Sequence, residues 1–228
     1  MIETTALEKT VIRRSKTITD PLTERRFCAL WNRHAANHSR TDPKLILADL
    51  LARLAEPHRR YHGRNHVDFC LREFDQASRL MASPDAVEMA LWFHDAIYAI
   101  GSGDNEEQSA RLFLRGAEKS LDDGFANDVA TLILATRHRE PPETDSAQYT
   151  LDIDLASFGR PWPEFMADCH ALRNEQTTLS HQEFYRRKCA FLHSLLRREY
   201  IYSTPWFRGR YERPARENMT RYIALIQP

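Results

Sequence analysis

Three short segments concentrate side chains that bind metals and move protons: Tyr61-His62-Gly63-Arg64-Asn65-His66, His94-Asp95 and Asp152-Ile153-Asp154. Imidazole is the commonest protein metal ligand and titrates near neutral pH, so it serves as ligand or as general acid. His62 and His66 are four residues apart. On one helix they share a face; if the helix starts at Asn65, His62 stands at its entrance. His94-Asp95 lies in a stretch where Val87, Leu91, His94 and Ile97 recur at helical spacing, which predicts an inward-facing stripe. A carboxylate on or beside such a stripe needs a counter-charge or a metal, because burying it unpaired costs too much. Asp152 and Asp154 interrupt an apolar run; Asp154, followed by Leu155 and Ala156, is expected to point inward and Asp152 to cap or support. Taken singly, each segment also fits a structural role: a solvated pair, a hydrogen-bonded core histidine, a helix cap.

Together, His66, His94, Asp95 and Asp154 offer two neutral nitrogens and two anionic oxygens. That set suits one divalent metal ion such as Mn, Fe, Co, Ni or Zn, with Mg possible but less natural at imidazole. Four protein ligands leave room in an octahedron for water and substrate. A metal-bound water loses its proton far more readily than bulk water and becomes a nucleophile near neutral pH.

The elements that must position these residues read as helices. Asp20-Pro21, Asp42-Pro43 and Ser83-Pro84 each set a capping side chain before a proline suited to a first turn, and Asp104-x-x-Glu107 reads as a variant capping box. Apolar spacing predicts helices over about 21–37, 43–55, 65–81, 84–99, 105–119, 122–137, 163–176, 181–200 and 211–226, with 149–158 also helical in this context. The expected fold is all-α: a polar tail over 1–19, then a single helical domain of about eight to ten helices over 20–228. Its metal-binding core covers about 45–160 and its C-terminal helices about 163–226.

Bulk properties narrow the partners. The 228 residues carry 32 basic and 32 acidic side chains, which argues against a general nucleic-acid or anionic-membrane binder. No apolar run approaches the ~20 residues needed to span a bilayer. Without a secretory signal or Cys-x-x-Cys pairing among Cys28, Cys70, Cys169 and Cys189, the expectation is a cytoplasmic protein with reduced thiols. Substrate, native metal and oligomeric state are not legible.

The order His66, His94-Asp95, Asp154 on helices resembles the HD superfamily of metal-dependent phosphohydrolases, over about residues 45–160. Tyr61-His62-x-x-x-His66 is similar to a stretch of cyclic-nucleotide phosphodiesterases in that superfamily, with Gly63 where those enzymes have asparagine. The resemblance implies His62 as general acid and His66 as ligand; the flanks of Ile153-Asp154-Leu155 favour Asp154 over Asp152 as last ligand. The wider frame of Glu56–His66, Trp92–Tyr98 and Asp104–Ala110 looks like a bacterial group of HD-type hydrolases. Glu106 is implied as the acidic residue that positions water, with Glu107 left to the capping box. Arg64, Asn105, Arg137 and His138 are candidates for binding a phosphorylated small molecule, whereas Arg186-Arg187-Lys188 and Arg197-Arg198 read as solvated helix faces. The implied function is hydrolysis of a phosphate ester on a nucleotide-like small molecule. The alternatives are a non-catalytic metal-stabilised binding or sensor module and a di-iron oxygenase. The oxygenase needs at least two further histidines between the pair and the last aspartate, where only His138 lies.

Overall fold

Pro84–Phe93 is apolar on almost every side, and a helix of that composition belongs in the middle of a core. A computed structural model describes residues 21–37 and 39–226 and places this helix there, with all eight residues from Ala86 to Phe93 buried. In chain order the helices are α1 (Pro21–Arg33), α2 (Pro43–Leu54), α3 (Arg64–Ala77), α4 (Pro84–Phe93), α5 (Asn105–Ala117), α6 (Asp123–Ala135), α7 (Asp145–Leu155), α8 (Trp162–Glu175), α9 (His181–Leu196) and α10 (Pro205–Ile226). Short 3-10 turns follow α3 and α7. Helix α4 packs against α3, α5, α6 and α7, while α10 closes over the turn 156–159 and α9. The described residues thus form an all-α domain without strands, as expected. The Asp20 cap and the polar tail lie outside them.

Several boundaries differ from the periodicity reading, each through a tertiary contact. Helix α1 stops at Arg33 rather than 37, because His34 stacks on Phe125 with ring centroids 3.6 Å apart and bonds Asp85 at 2.8 Å. Helix α4 stops at Phe93 rather than 99, so His94 and Asp95 stand in the turn just beyond it. The following strap is held from outside: Ser109 accepts from the Ile97 amide, and Asn105 clasps both backbone groups of Ala99. The capping box at α5 does not form. The Asp104 carboxylate takes Ser102 and Gln108, and Glu107 turns to Arg137 at 3.0 Å. Helix α7 begins at Asp145, capped by Thr144, and contains both aspartates of the third segment. Helix α9 ends at 196 rather than 200, and α10 starts at 205 rather than 211.

Polar anchors fix the helices relative to one another. Arg26 on α1 bonds Glu88 on α4 and Asp75 on α3, and the Tyr211 hydroxyl on α10 donates to Glu73 on α3. Asp152 accepts from the Ser203 amide, the Thr204 amide and the Thr204 hydroxyl, all at 2.7 Å, so it pins the start of α10. Glycine is required where α10 crosses the turn after α7: a Cβ on Gly159 would come within 2.6 Å of the Tyr211 ring. Asp152→Ala would orphan three donors, at a cost of about 2–4 kcal/mol. Urea denaturation should show that loss, with the metal content of the purified protein unchanged.

Candidate metal centre

The four predicted ligands come from three places and meet at one point. His66 lies on the first turn of α3, His94-Asp95 in the turn after α4, and Asp154 near the end of α7. His66 Nε2 is 3.0 Å from Asp154 Oδ1 and 3.7 Å from Asp95 Oδ2. His94 Nε2 is 3.2 Å from Asp95 Oδ2 and 3.6 Å from Asp154 Oδ1. Cys70, one helical turn after His66, joins them: single donor atoms of His66, Cys70, His94 and Asp154 all lie within 4.8 Å of one another. Sequence reasoning passed over Cys70; its signal was the four-residue spacing from His66. Burial pushes its thiol well above the usual range, which makes it a poorer ligand than the carboxylates until a cation lowers it.

The donor set fits a metal ion. His94 Nδ1 donates to the Leu91 carbonyl at 2.9 Å, which turns the Nε2 lone pair toward the carboxylates. Yet His94 Nε2 and Asp95 Oδ2 are buried without a hydrogen-bond partner of good geometry. Two orphaned atoms facing one another are costly unless something sits between them. Burial works against charge on both carboxylates, but the surrounding imidazoles win and hold Asp95 and Asp154 well below the usual carboxylate range. Burial likewise opposes charge on His94, but the Asp95 carboxylate outweighs it and lifts His94 to about 9.

His62 sits before α3 rather than on it, because Gly63 is the N-cap. A Cβ at Gly63 would come 2.9 Å from the Leu54 carbonyl, so this tight entrance excludes a larger side chain. His62 Nδ1 bonds Glu175 Oε2 at 2.6 Å, and Glu175 Oε1 accepts from the amides of Arg60, Tyr61 and His62. Glu175, fully buried at the end of α8, was not legible as a functional residue. Burial lowers the His62 pKa, but Asp95 and the Glu175 hydrogen bond outweigh it, and the net shift is upward. Buried Arg59 bonds the carbonyls of His62, Asp95 and Ala96, which locks this segment to the His94-Asp95 turn.

A cavity of about 250 Å³ opens onto the centre and is lined by His62, His66, His94, Asp95, Glu106, Arg137, His138 and Asp154, among others. His138 Nε2 bonds Asp154 Oδ2 at 2.8 Å, from a backbone held at φ 56°. Arg137 lines the cavity, but Glu107 neutralises it. Two predicted substrate contacts are not brought in: Arg64 faces Asp68 at 3.5 Å beside a separate surface depression, and the Asn105 amide is spent on Ala99. The charged run at 186–188 is also not uniformly solvated. Arg186 and Arg187 stay outside on Glu183, while Lys188 turns into the cavity wall. No family model, curated protein or solved structure matches the chain. No helix among the described residues is long and apolar enough to cross a membrane.

His94→Ala and Asp154→Ala should purify without stoichiometric metal, as read by elemental analysis; full occupancy in either would overturn the ligand assignment. A cation must displace the His94 proton, so apparent metal affinity should rise with pH, about tenfold per unit below pH 9 for one proton released. Competition titrations with a chelator at pH 6, 7 and 8 measure that slope.

Proposed function

We propose that the chain is an HD-type metal-dependent phosphohydrolase acting on the phosphate ester of a nucleotide-like small molecule. The observation that carries this reading is the His62–Glu175 pair: His62 lines the same cavity as His66, His94, Asp95 and Asp154, and Glu175 backs it from behind. A ligand cluster alone fits a binding module as well as an enzyme; a buried carboxylate backing a histidine adds the means to deliver a proton. A divalent cation at the cluster would supply Lewis-acid polarisation of a phosphoryl oxygen and of water. Hydrolysis is also favoured over di-iron oxygenation, because the cavity lining holds no histidine beyond the predicted His62, His66, His94 and His138.

The chain's own groups divide the remaining work. Water adds to phosphorus as the P–O ester bond breaks, and the bonding electron pair leaves on the departing oxygen. His62 in its doubly protonated form keeps Nδ1–H on Glu175 and delivers the Nε2 proton to that oxygen. The Glu175 hydrogen bond favours that charged form even when a cation neutralises Asp95. Glu106, on the same cavity, takes the proton released by the attacking water. His138 orients Asp154 through its 2.8 Å bond.

His62→Ala should retain metal but lose turnover by about 10²–10⁴. Glu175→Gln removes the anion that supports the His62 proton, so the limb of the pH–rate profile governed by the acid should move to lower pH. The decisive measurement is a panel of phosphomonoesters, cyclic nucleotides and nucleoside triphosphates assayed with Mn, Co, Ni and Mg. Absence of turnover on every member would replace the hydrolase reading with a binding module.

A further inference from the structure

Lys188 is out of character for the charged run that contains it. On α9 its neighbours Arg186 and Arg187 are exposed and paired to Glu183. Lys188 instead runs inward, with Nζ 5.1 Å from the Phe158 ring centroid and 6.0 Å from that of Phe191. All three line the cavity that opens onto the metal centre. Two ring faces hold an ammonium in place by cation–π attraction, but they supply no anion. Among the described residues no carboxylate reaches it within ion-pairing distance. Asp168, whose field does act on it, is engaged by Arg160 at 2.9 Å. The other lining cation, Arg137, is neutralised by Glu107. Burial also lowers the Lys188 pKa, as for a cation lacking a full counter-charge.

The cavity is therefore polarised. Part of its lining is the carboxylate and imidazole cluster. Another part is an unpaired ammonium accompanied by Phe158, Phe191, Leu155 and Leu172. An occupant complementary to both has an anionic group and an apolar or aryl body. At about 250 Å³ the space falls below the ~300–1,000 Å³ typical of sites for larger organic ligands.

Resting on the phosphohydrolase reading above, we propose that Lys188 binds the charge of the substrate's phosphoryl group. The substrate class is then a compact phosphomonoester whose aryl or base body lies on Phe158 and Phe191, not a polyphosphate chain. Lys188 is a substrate-positioning residue and takes no part in holding the metal.

Calorimetric titration of the Mn-loaded protein with inorganic phosphate and with phenylphosphonate, which cannot be hydrolysed, tests this directly. The wild-type chain should bind phenylphosphonate more tightly than phosphate. Lys188→Met should weaken both by about tenfold to a hundredfold, as expected for losing a charge-assisted bond. Its Mn content should be unchanged. Lys188→Arg should restore most of the affinity, and Phe191→Leu should weaken phenylphosphonate more than phosphate. Wild-type affinity for both probes in Lys188→Met would overturn the proposal, as would failure of the wild-type chain to bind either probe. Should Lys188→Met not fold, Lys188→Gln gives the same comparison. The two readings fail separately: lost probe binding without turnover on any phosphate ester removes the hydrolase and leaves the anion site. Turnover with an unaltered KM in Lys188→Met removes the anion site and leaves the hydrolase.

Discussion

Two carboxylates, Asp95 and Asp154, are held together inside a helical core, and much of the architecture answers that constraint. Their charges repel, and burial penalises each. Three imidazoles, from α3, the turn after α4 and the segment after α6, surround them. Even so, His94 Nε2 and Asp95 Oδ2 remain unsatisfied. A cluster that its own protein partners leave incomplete has the character of a site for a cation.

Precision at this point comes from bonds that lie behind the site. Arg59 ties the His62 backbone to the Asp95 and Ala96 carbonyls, so His62 and Asp95 cannot move independently. Glu175 reaches in from α8 and collects three successive amides with one oxygen and the His62 ring with the other. Asp152, two residues from a ligand, anchors α10 rather than the metal centre. The same short run of α7 thus sends one carboxylate to the histidine cluster and one to the fold, because residues two apart on a helix project from nearly opposite sides.

The cavity adds direction to the chemistry. Its carboxylates are suited to a cation and Lys188 to an anion, so the lining offers an occupant both charges. The neutralisation of Arg137 by Glu107 matters here, since it leaves Lys188 as the lining cation without a carboxylate partner among the described residues.

Helical class, the position of most helices and three members of the possible metal-binding cluster, His66, His94 and Asp154, could be read from residue types, because apolar periodicity and clustered histidine and aspartate are local properties of the chain. Asp154 does reach the histidines as its apolar neighbours suggested, but Asp152 is not the outward one: it is the more deeply buried of the two, because Ser203 and Thr204 satisfy it. What remained hidden depends on contacts across the fold. The end of α4 at Phe93 is set by bonds from Arg59 and α5, not by helix propensity. Glu175 looked like any acidic residue at a helix end until α8 carried it beneath His62. Cys70 looked like a core thiol, and Lys188 like one of three solvated basic residues. Arg64 and Asn105 sit in sequence beside residues that line the cavity, yet they point elsewhere. Sequence by itself determined which side chains capable of binding a cation or moving a proton this chain carries. Only the tertiary structure decided which of them share one cavity, because that depends on the packing of helices far apart in the chain.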